Sequence, residues 1–140
     1  MSFELLDTFK KKPLIAELPL SFVLMEEKEF PWILLIPRVD GALQITDLSS
    51  DNQIQLMKEI SKSSQIMQKL FPCDRLNVAT IGNKTPQLHV HIICRAESDS
   101  LWPEVVWGRP MKTLSPEETA ERAEILRKAF GTVNYRSIFP

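Results

Sequence analysis

The 140 residues fall in the range of a single compact domain, and a hydrophobic content of 44% is enough to build one core. Lys and Arg (17) nearly balance Asp and Glu (18), which excludes a broad positive field for nucleic acid or for an acidic membrane surface, so any phosphate has to be bound locally. No stretch approaches the roughly 18 apolar residues of a spanning helix and no basic, apolar leader opens the chain; the expectation is a cytoplasmic protein, free of membrane, whose Cys73 and Cys94 are reduced and carry no role.

Phe3 to Lys11, with apolar Phe3, Leu5, Leu6 and Phe9, predicts a short amphipathic helix that ends before Pro13. Leu18 to Met25 reads as a strand, Glu26-Glu27-Lys28-Glu29 as a turn, and Trp32 to Ile36 as a strand buried on both faces, which together make a hairpin. Ser50 and Gln53 match a capping box. From there Leu56, Ile60, Met67 and Leu70, with small Ser63 between them, recur at helical spacing and predict a long central helix of about five to six turns up to Pro72. Arg75 to Ile81 is strand-like, Gly82-Asn83-Lys84-Thr85-Pro86 is a loop, and a second hairpin strand begins at Gln87. Ser115-Pro116-Glu117-Glu118 opens a last helix with a capping serine, proline at its first position and an acidic first turn, running to about Phe130. The nine residues after Gly131, with Val133, Tyr135, Ile138 and Phe139, are apolar enough to dock on the sheet or on a partner subunit. Hairpins imply antiparallel pairing, so the fold class is α+β: an antiparallel sheet with a long central helix and terminal helices, in one domain over residues 1–140.

The richest segment is Gln87-Leu88-His89-Val90-His91-Ile92-Ile93, which holds both histidines of the chain. On a strand Gln87, His89 and His91 share one face, and Leu88, Val90, Ile92 and Cys94 share the other. Three chemistries fit two such imidazoles. They can satisfy polar contacts only; they can bind zinc, for which a third ligand is wanting because Cys94 points away and Glu97 lies past the strand end; or one can attack phosphorus while its neighbour stabilises the phosphoryl oxygens. The third option needs anion-binding groups at the start of the strand. Gly82, Asn83 and Lys84 offer a closely approaching backbone, an amide and a cation, although a loop glycine serves equally as a turn residue.

The stretch from Leu76 to Arg95 resembles the histidine triad (HIT) superfamily, whose pattern is His-x-His-x-His-x-x with hydrophobic x. The resemblance runs from about Leu18 to Gly108, and only the histidine segment is specific. It implies a five-stranded antiparallel sheet, usually in a homodimer, and a nucleotidyl hydrolase or transferase acting on dinucleoside polyphosphates or nucleoside phosphoramidates, with a purine nucleotide as substrate and no cofactor or metal. By the same resemblance His89 is the nucleophile that forms phosphohistidine and His91 binds the α-phosphate oxygens. Asn77, Gly82 and Asn83 fall where the family contacts nucleotide and phosphate, and Glu26 or Glu27 is the candidate for the ribose hydroxyls.

The first histidine of the pattern is Gln87 here. An amide neither carries nor releases a proton near neutral pH, so the resemblance admits a hydrolase with altered leaving-group preference, a slow enzyme, or a nucleotide-binding protein with little or no turnover. Trp102 and Trp107, in a segment with Pro103 and Gly108, offer either a wall over the nucleotide, a dimer contact or simple loop packing. Lys84, Arg95 and Arg109 are the cations available on the phosphate side, each with the alternative of an ordinary surface charge.

Overall fold

A computed structural model of the chain describes residues 3–131. Five strands form one antiparallel sheet in the order β1-β2-β3-β5-β4, with β1 at Leu14–Glu17, β2 at Ser21–Met25, β3 at Trp32–Pro37, β4 at Arg75–Ala79 and β5 at Val90–Arg95. The predicted α+β class and antiparallel sheet are therefore the observed ones. The helices are α1 (Asp7–Lys10), α2 (Ser50–Leu70) and α3 (Pro116–Gly131).

Several boundaries differ from the sequence expectation, each for a local reason. The N-terminal helix is a single turn, Asp7–Lys10, because residues 3–6 run extended along the domain. Strand β1 was not expected: it lies between Pro13 and Pro19 and buries only Ile15, so it carries too little alternation to register. Helix α2 is capped by Ser49, whose hydroxyl accepts from the Asn52 N–H at 3.2 Å, one residue before the expected capping box. Helix α3 opens as the sequence predicts, with reciprocal bonds of 3.1 Å from Glu118 N–H to Ser115 Oγ and 2.9 Å from Ser115 N–H to Glu118 Oε1. The apolar segment after Gly131 lies outside the described residues.

The period-two alternation of the strands sorts the core into two layers. On one face Val23, Met25, Ile33, Leu35, Val90, Ile92 and Cys94 pack beneath α2 and α3, with Leu56, Ile60, Met67, Leu126 and Phe130 from the helices. On the other face Leu24, Trp32, Leu34, Ile36 and Ile93 are covered by Phe9 of α1, by Phe30 and by Val106 of the loop after β5. His91 belongs to this second face: it is paired with Leu34 on β3 and Ala79 on β4. All six positions of β3 and of β5 are buried, which is why both read as continuous apolar or mixed runs.

One buried charged group joins the helix layer to the sheet. Glu59 on α2 is fully buried and accepts from the main-chain N–H groups of Leu20 (2.7 Å) and Ser21 (3.0 Å), with Gln55 Nε2 donating at 2.9 Å. It satisfies the turn that feeds β2. Glu59→Ala orphans two buried amides and is expected to cost about 2–4 kcal/mol, with Glu59→Gln losing less because one carboxamide oxygen still accepts. Urea denaturation at neutral pH measures both; equal stability of all three proteins would show that the turn does not depend on this side chain.

Candidate active site

The two imidazoles are buried, His89 at 5% and His91 at 7% exposure, and they meet edge to face with ring centroids 4.9 Å apart. Each is oriented by a different part of the sheet. His89 sits just before β5, where its Nδ1–H donates to the carbonyl of Gln87 at 2.7 Å. That bond fixes a proton on Nδ1, so in the neutral ring the lone pair is on Nε2. His91 is held the other way round: the indole Nε1–H of Trp32 donates to His91 Nδ1 at 3.1 Å, so the His91 proton is on Nε2. This Nε2 is buried and, among the described residues, meets no acceptor in full hydrogen-bonding geometry, although the Ile81 main chain lies near the ring. In the neutral pair, then, His89 carries a lone pair on Nε2 and His91 a donor on Nε2.

Burial, first, and then the neighbouring His89 push the His91 pKa down to about 4; the nearby main chain of Ile81 opposes the shift and Lys12 adds to it. His91 is therefore neutral at physiological pH. Aromatic rings complete its surroundings. Trp107 packs on His91 at 5.3 Å, Trp32 on Trp107 at 6.1 Å, and Phe9 on the edge of His89 at 4.9 Å.

Two cavities open on either side of His89. One, of about 360 Å³, lies between α1 and the 107–108 turn and is lined by Phe9, Lys12, Glu26, Lys84, His91 and Trp107 among others. The other, of about 480 Å³, is lined by Leu43, Gln44, Thr46, Thr80, Gly82 and Leu88. His89 and Asn83 belong to both. The loop backbone comes close to the ring here, since a Cβ placed on Gly82 would stand 3.4 Å from the Thr85 carbonyl and 3.8 Å from His89 Cε1.

Of the residues singled out in the sequence, His89, His91, Gly82, Asn83, Lys84 and Glu26 are brought together at these cavities. Glu26 forms an ion pair with Lys12 at the rim. The others are placed elsewhere. Asn77 lies on the histidine face of the sheet but two residues along β4 from Ala79, the partner of His91; its Oδ1 faces Arg95 Nη1 at 3.3 Å rather than the site. Glu27, beyond the end of β2, turns toward clefts lined by Pro13, Leu114 and Thr113. The Gln87 side chain enters a third cleft with Phe3, Glu4 and Leu6 and touches neither cavity beside His89. Arg109 pairs with Glu104 on the surface. Arg95 is almost wholly buried: it makes a bidentate pair with Asp99 (2.7 and 2.9 Å) and donates to the Glu104 carbonyl at 2.8 Å. Asp99 in turn accepts from the N–H groups of Ala96, Leu101 and Trp102. This network folds the loop that delivers Trp107, and the turn after Trp107 needs the positive φ (79°) that Gly108 supplies.

Sequence reasoning missed Trp32, Phe9 and Lys12 as site residues. Trp32 looked like core, and its indole N–H was the only hint of a polar task; Phe9 and Lys12 reach the site by tertiary packing that no local pattern encodes. Among the described residues no cluster of three His, Cys, Asp or Glu side chains forms a metal site, and no helix is long and apolar enough to cross a membrane.

An antiparallel sheet that carries two imidazoles at one strand end, beside a glycine loop, is the arrangement that the histidine triad pattern in the sequence leads one to expect. Residues 10–98 match the HIT domain model, and the chain belongs to that family, whose members are generally nucleotide-binding hydrolases and transferases. Among solved structures it is similar to a histidine triad protein from Bradyrhizobium japonicum, at 39% identity and TM-score 0.85, covering 92% of this chain and 98% of that one. A histidine triad protein from Marinobacter aquaeolei has 34% identity and TM-score 0.87, covering 96% and 100%. One from Sinorhizobium meliloti has 26% identity and TM-score 0.84, covering 91% and 96%. Comparison with curated proteins gives no significant match.

The His91 shift has a measurable consequence. Between about pH 6.5 and about pH 4 the unfolded chain binds a proton at this position that the folded chain does not, so the stability it contributes is complete above pH 6.5 and falls as the pH drops through that window. The expected loss is about 3 kcal/mol. In His91→Asn, which keeps an acceptor for Trp32, the decline in denaturation free energy between these pH values should be shallower by that amount; identical slopes would contradict the neutral, buried state.

Proposed function

We propose that the chain is a nucleotidyl hydrolase or transferase that acts on nucleoside phosphate derivatives, of the dinucleoside polyphosphate or nucleoside phosphoramidate type, through a covalent intermediate on His89. The observation that carries this reading is the pairing of opposite tautomers: His89 holds its proton on Nδ1, so its neutral ring has the lone pair on Nε2, beside a buried donor on His91 Nε2 that meets no acceptor in full hydrogen-bonding geometry among the described residues. A phosphoryl oxygen is the acceptor that the donor lacks, and the phosphorus is the electrophile that the lone pair needs.

In the first step His89 Nε2 forms a bond to the α-phosphorus while the bond from phosphorus to the leaving oxygen or nitrogen breaks, the leaving group keeping that electron pair and taking a proton from solvent. Water then attacks phosphorus and gives one proton to solvent, the N–P electron pair returns to Nε2, and nucleoside monophosphate leaves with His89 again neutral. The carbonyl of Gln87 stabilises the positive charge that develops on the His89 ring, and His91 stays neutral and donates to the phosphoryl group. The nucleoside lies in the cavity between Phe9 and Trp107, aromatic walls that suit a purine, with Glu26 for the ribose and Asn83 and Lys84 for phosphate oxygens. The leaving group occupies the cavity on the other side of His89.

A second reading, a nucleotide-binding protein with little turnover, draws on the absence of a proton-releasing side chain at position 87. A homodimer completes the proposal. The open edge of β4 and the outer side of α2 expose Val78, Ile54 and Met57.

Rapid quench with a labelled adenosine phosphoramidate or polyphosphate should trap an acid-labile phosphoprotein that is absent in His89→Ala, with turnover lower by about 10³-fold or more. Calorimetric binding of adenosine 5′-monophosphate without any burst of product would favour the second reading over the first.

A further inference from the structure

Gln87 occupies the position of the first histidine in the family pattern, yet its side chain points away from both cavities beside His89. Its carboxamide is used in full. Oε1 accepts from the Leu6 N–H at 3.0 Å and Nε2 donates to the Glu4 carbonyl at 2.9 Å. We infer that Gln87 is a positioning residue whose carboxamide straps residues 4–6 to the His89 segment and thereby holds α1 as a wall of the nucleotide cavity. The inference rests on that cavity being the nucleotide site.

Three observations support it. First, α1 is four residues long and has no side-chain cap, so it cannot persist on its own local bonds and must be held by tertiary contacts. Leu6, its N-cap, is the residue that Gln87 grips; the first turn then hangs from the Leu6 carbonyl, which accepts from Phe9 N–H at 2.9 Å and Lys10 N–H at 3.1 Å. Second, the strapped segment leads directly into the site. Thr8, Phe9 and Lys12 line the cavity, and Phe9 packs on the ring of His89. Third, the geometry selects glutamine. Leu6 N–H and Glu4 C=O lie two residues apart on one extended segment, and only a carboxamide presents an acceptor and a donor side by side; a carboxylate has no donor, and an imidazole has its two nitrogens on different edges of the ring. The same residue therefore acts on the site twice: its main-chain carbonyl sets the tautomer of His89, and its side chain sets the N-terminal wall.

The substitution from histidine is in this view an exchange of roles and not a lost catalyst, and restoring histidine should harm the protein. The test uses full-length Gln87→Ala, Gln87→His, Leu6→Pro and the Gln87→Ala/Leu6→Pro double variant. Leu6→Pro removes the N–H that Oε1 accepts without forcing the φ of residue 6, since Leu6 already has the −65° that proline imposes. Readouts are amide hydrogen exchange over residues 7–12, calorimetric affinity for adenosine 5′-monophosphate, and kcat and KM with adenosine 5′-phosphoramidate. Each single variant should speed exchange in that segment about tenfold and raise KM and Kd about five- to tenfold while kcat stays within about threefold, and the double variant should be no worse than either single one. The proposal is overturned by unchanged exchange, by losses that multiply in the double variant, or by a fall in kcat at constant KM, which would put the carboxamide on the reacting phosphoryl group. If the wild-type protein neither binds the monophosphate nor turns over the phosphoramidate, the nucleotide reading fails, and the exchange data alone then decide the strap: faster exchange in Gln87→Ala upholds it and unchanged exchange ends it.

Discussion

The hydrogen bond from His89 Nδ1–H to the Gln87 carbonyl, at 2.7 Å, is the constraint around which the site is organised. It joins residues only two apart, so it forms only if the chain before β5 takes one particular path, and everything that sets that path acts on the His89 ring. The path is set by β5 pairing between β3 and β4, by the Leu88 N–H donating to the Ala42 carbonyl at 3.0 Å, and by the grip of the Gln87 side chain on residues 4–6. A strand end is a suitable place for such a group. It is rigid on the sheet side and open to a loop on the other, so a lone pair is presented at a fixed angle without being sealed in.

The second imidazole depends on the sheet in a different way. His91 is inside the ladder, and its proton is assigned by Trp32 one strand away, which ties the chemistry to the pairing of β3 with β5. Low exposure makes a charged His91 unfavourable, and its proximity to His89 adds to that. In the proposed reaction, such a neutral donor would stabilise developing phosphoryl charge without a fixed cation competing for the lone pair of His89. The wall formed by Trp107 belongs to the same account, since the loop that carries it is folded by the buried Arg95–Asp99 pair, whose Arg95 arises at the end of the strand that begins beside His89.

Much of this was legible in the sequence. The alternation from Leu88 to Cys94 placed the oily and imidazole faces correctly, because a strand buried on both sides keeps its period of two whatever covers it. The Ser115-Pro116-Glu117-Glu118 signature opened α3 where the helix begins, since capping is a local interaction. What the sequence hid is non-local. Trp32 and His91 are 59 positions apart, and the polar role of an indole in an apolar run shows only when the register Trp32 to Ile93 and Leu34 to His91 is known. Asn77 shares a face with the histidines but falls in the row of Ile93, a displacement that one sequence cannot reveal. Gln87 was read through its missing proton, when its two hydrogen bonds to residues more than 80 positions earlier give it a different task.

The two imidazoles are held in opposite tautomers, His89 with its proton on Nδ1 and His91 with its proton on Nε2. Long-range ¹H–¹⁵N correlation spectra of the uniformly labelled protein at neutral pH read this directly, because protonated and unprotonated ring nitrogens differ widely in shift. The account predicts His89 with its proton on Nδ1 and His91 with its proton on Nε2. Two rings of the same tautomer, or a doubly protonated His91 at neutral pH, would contradict it.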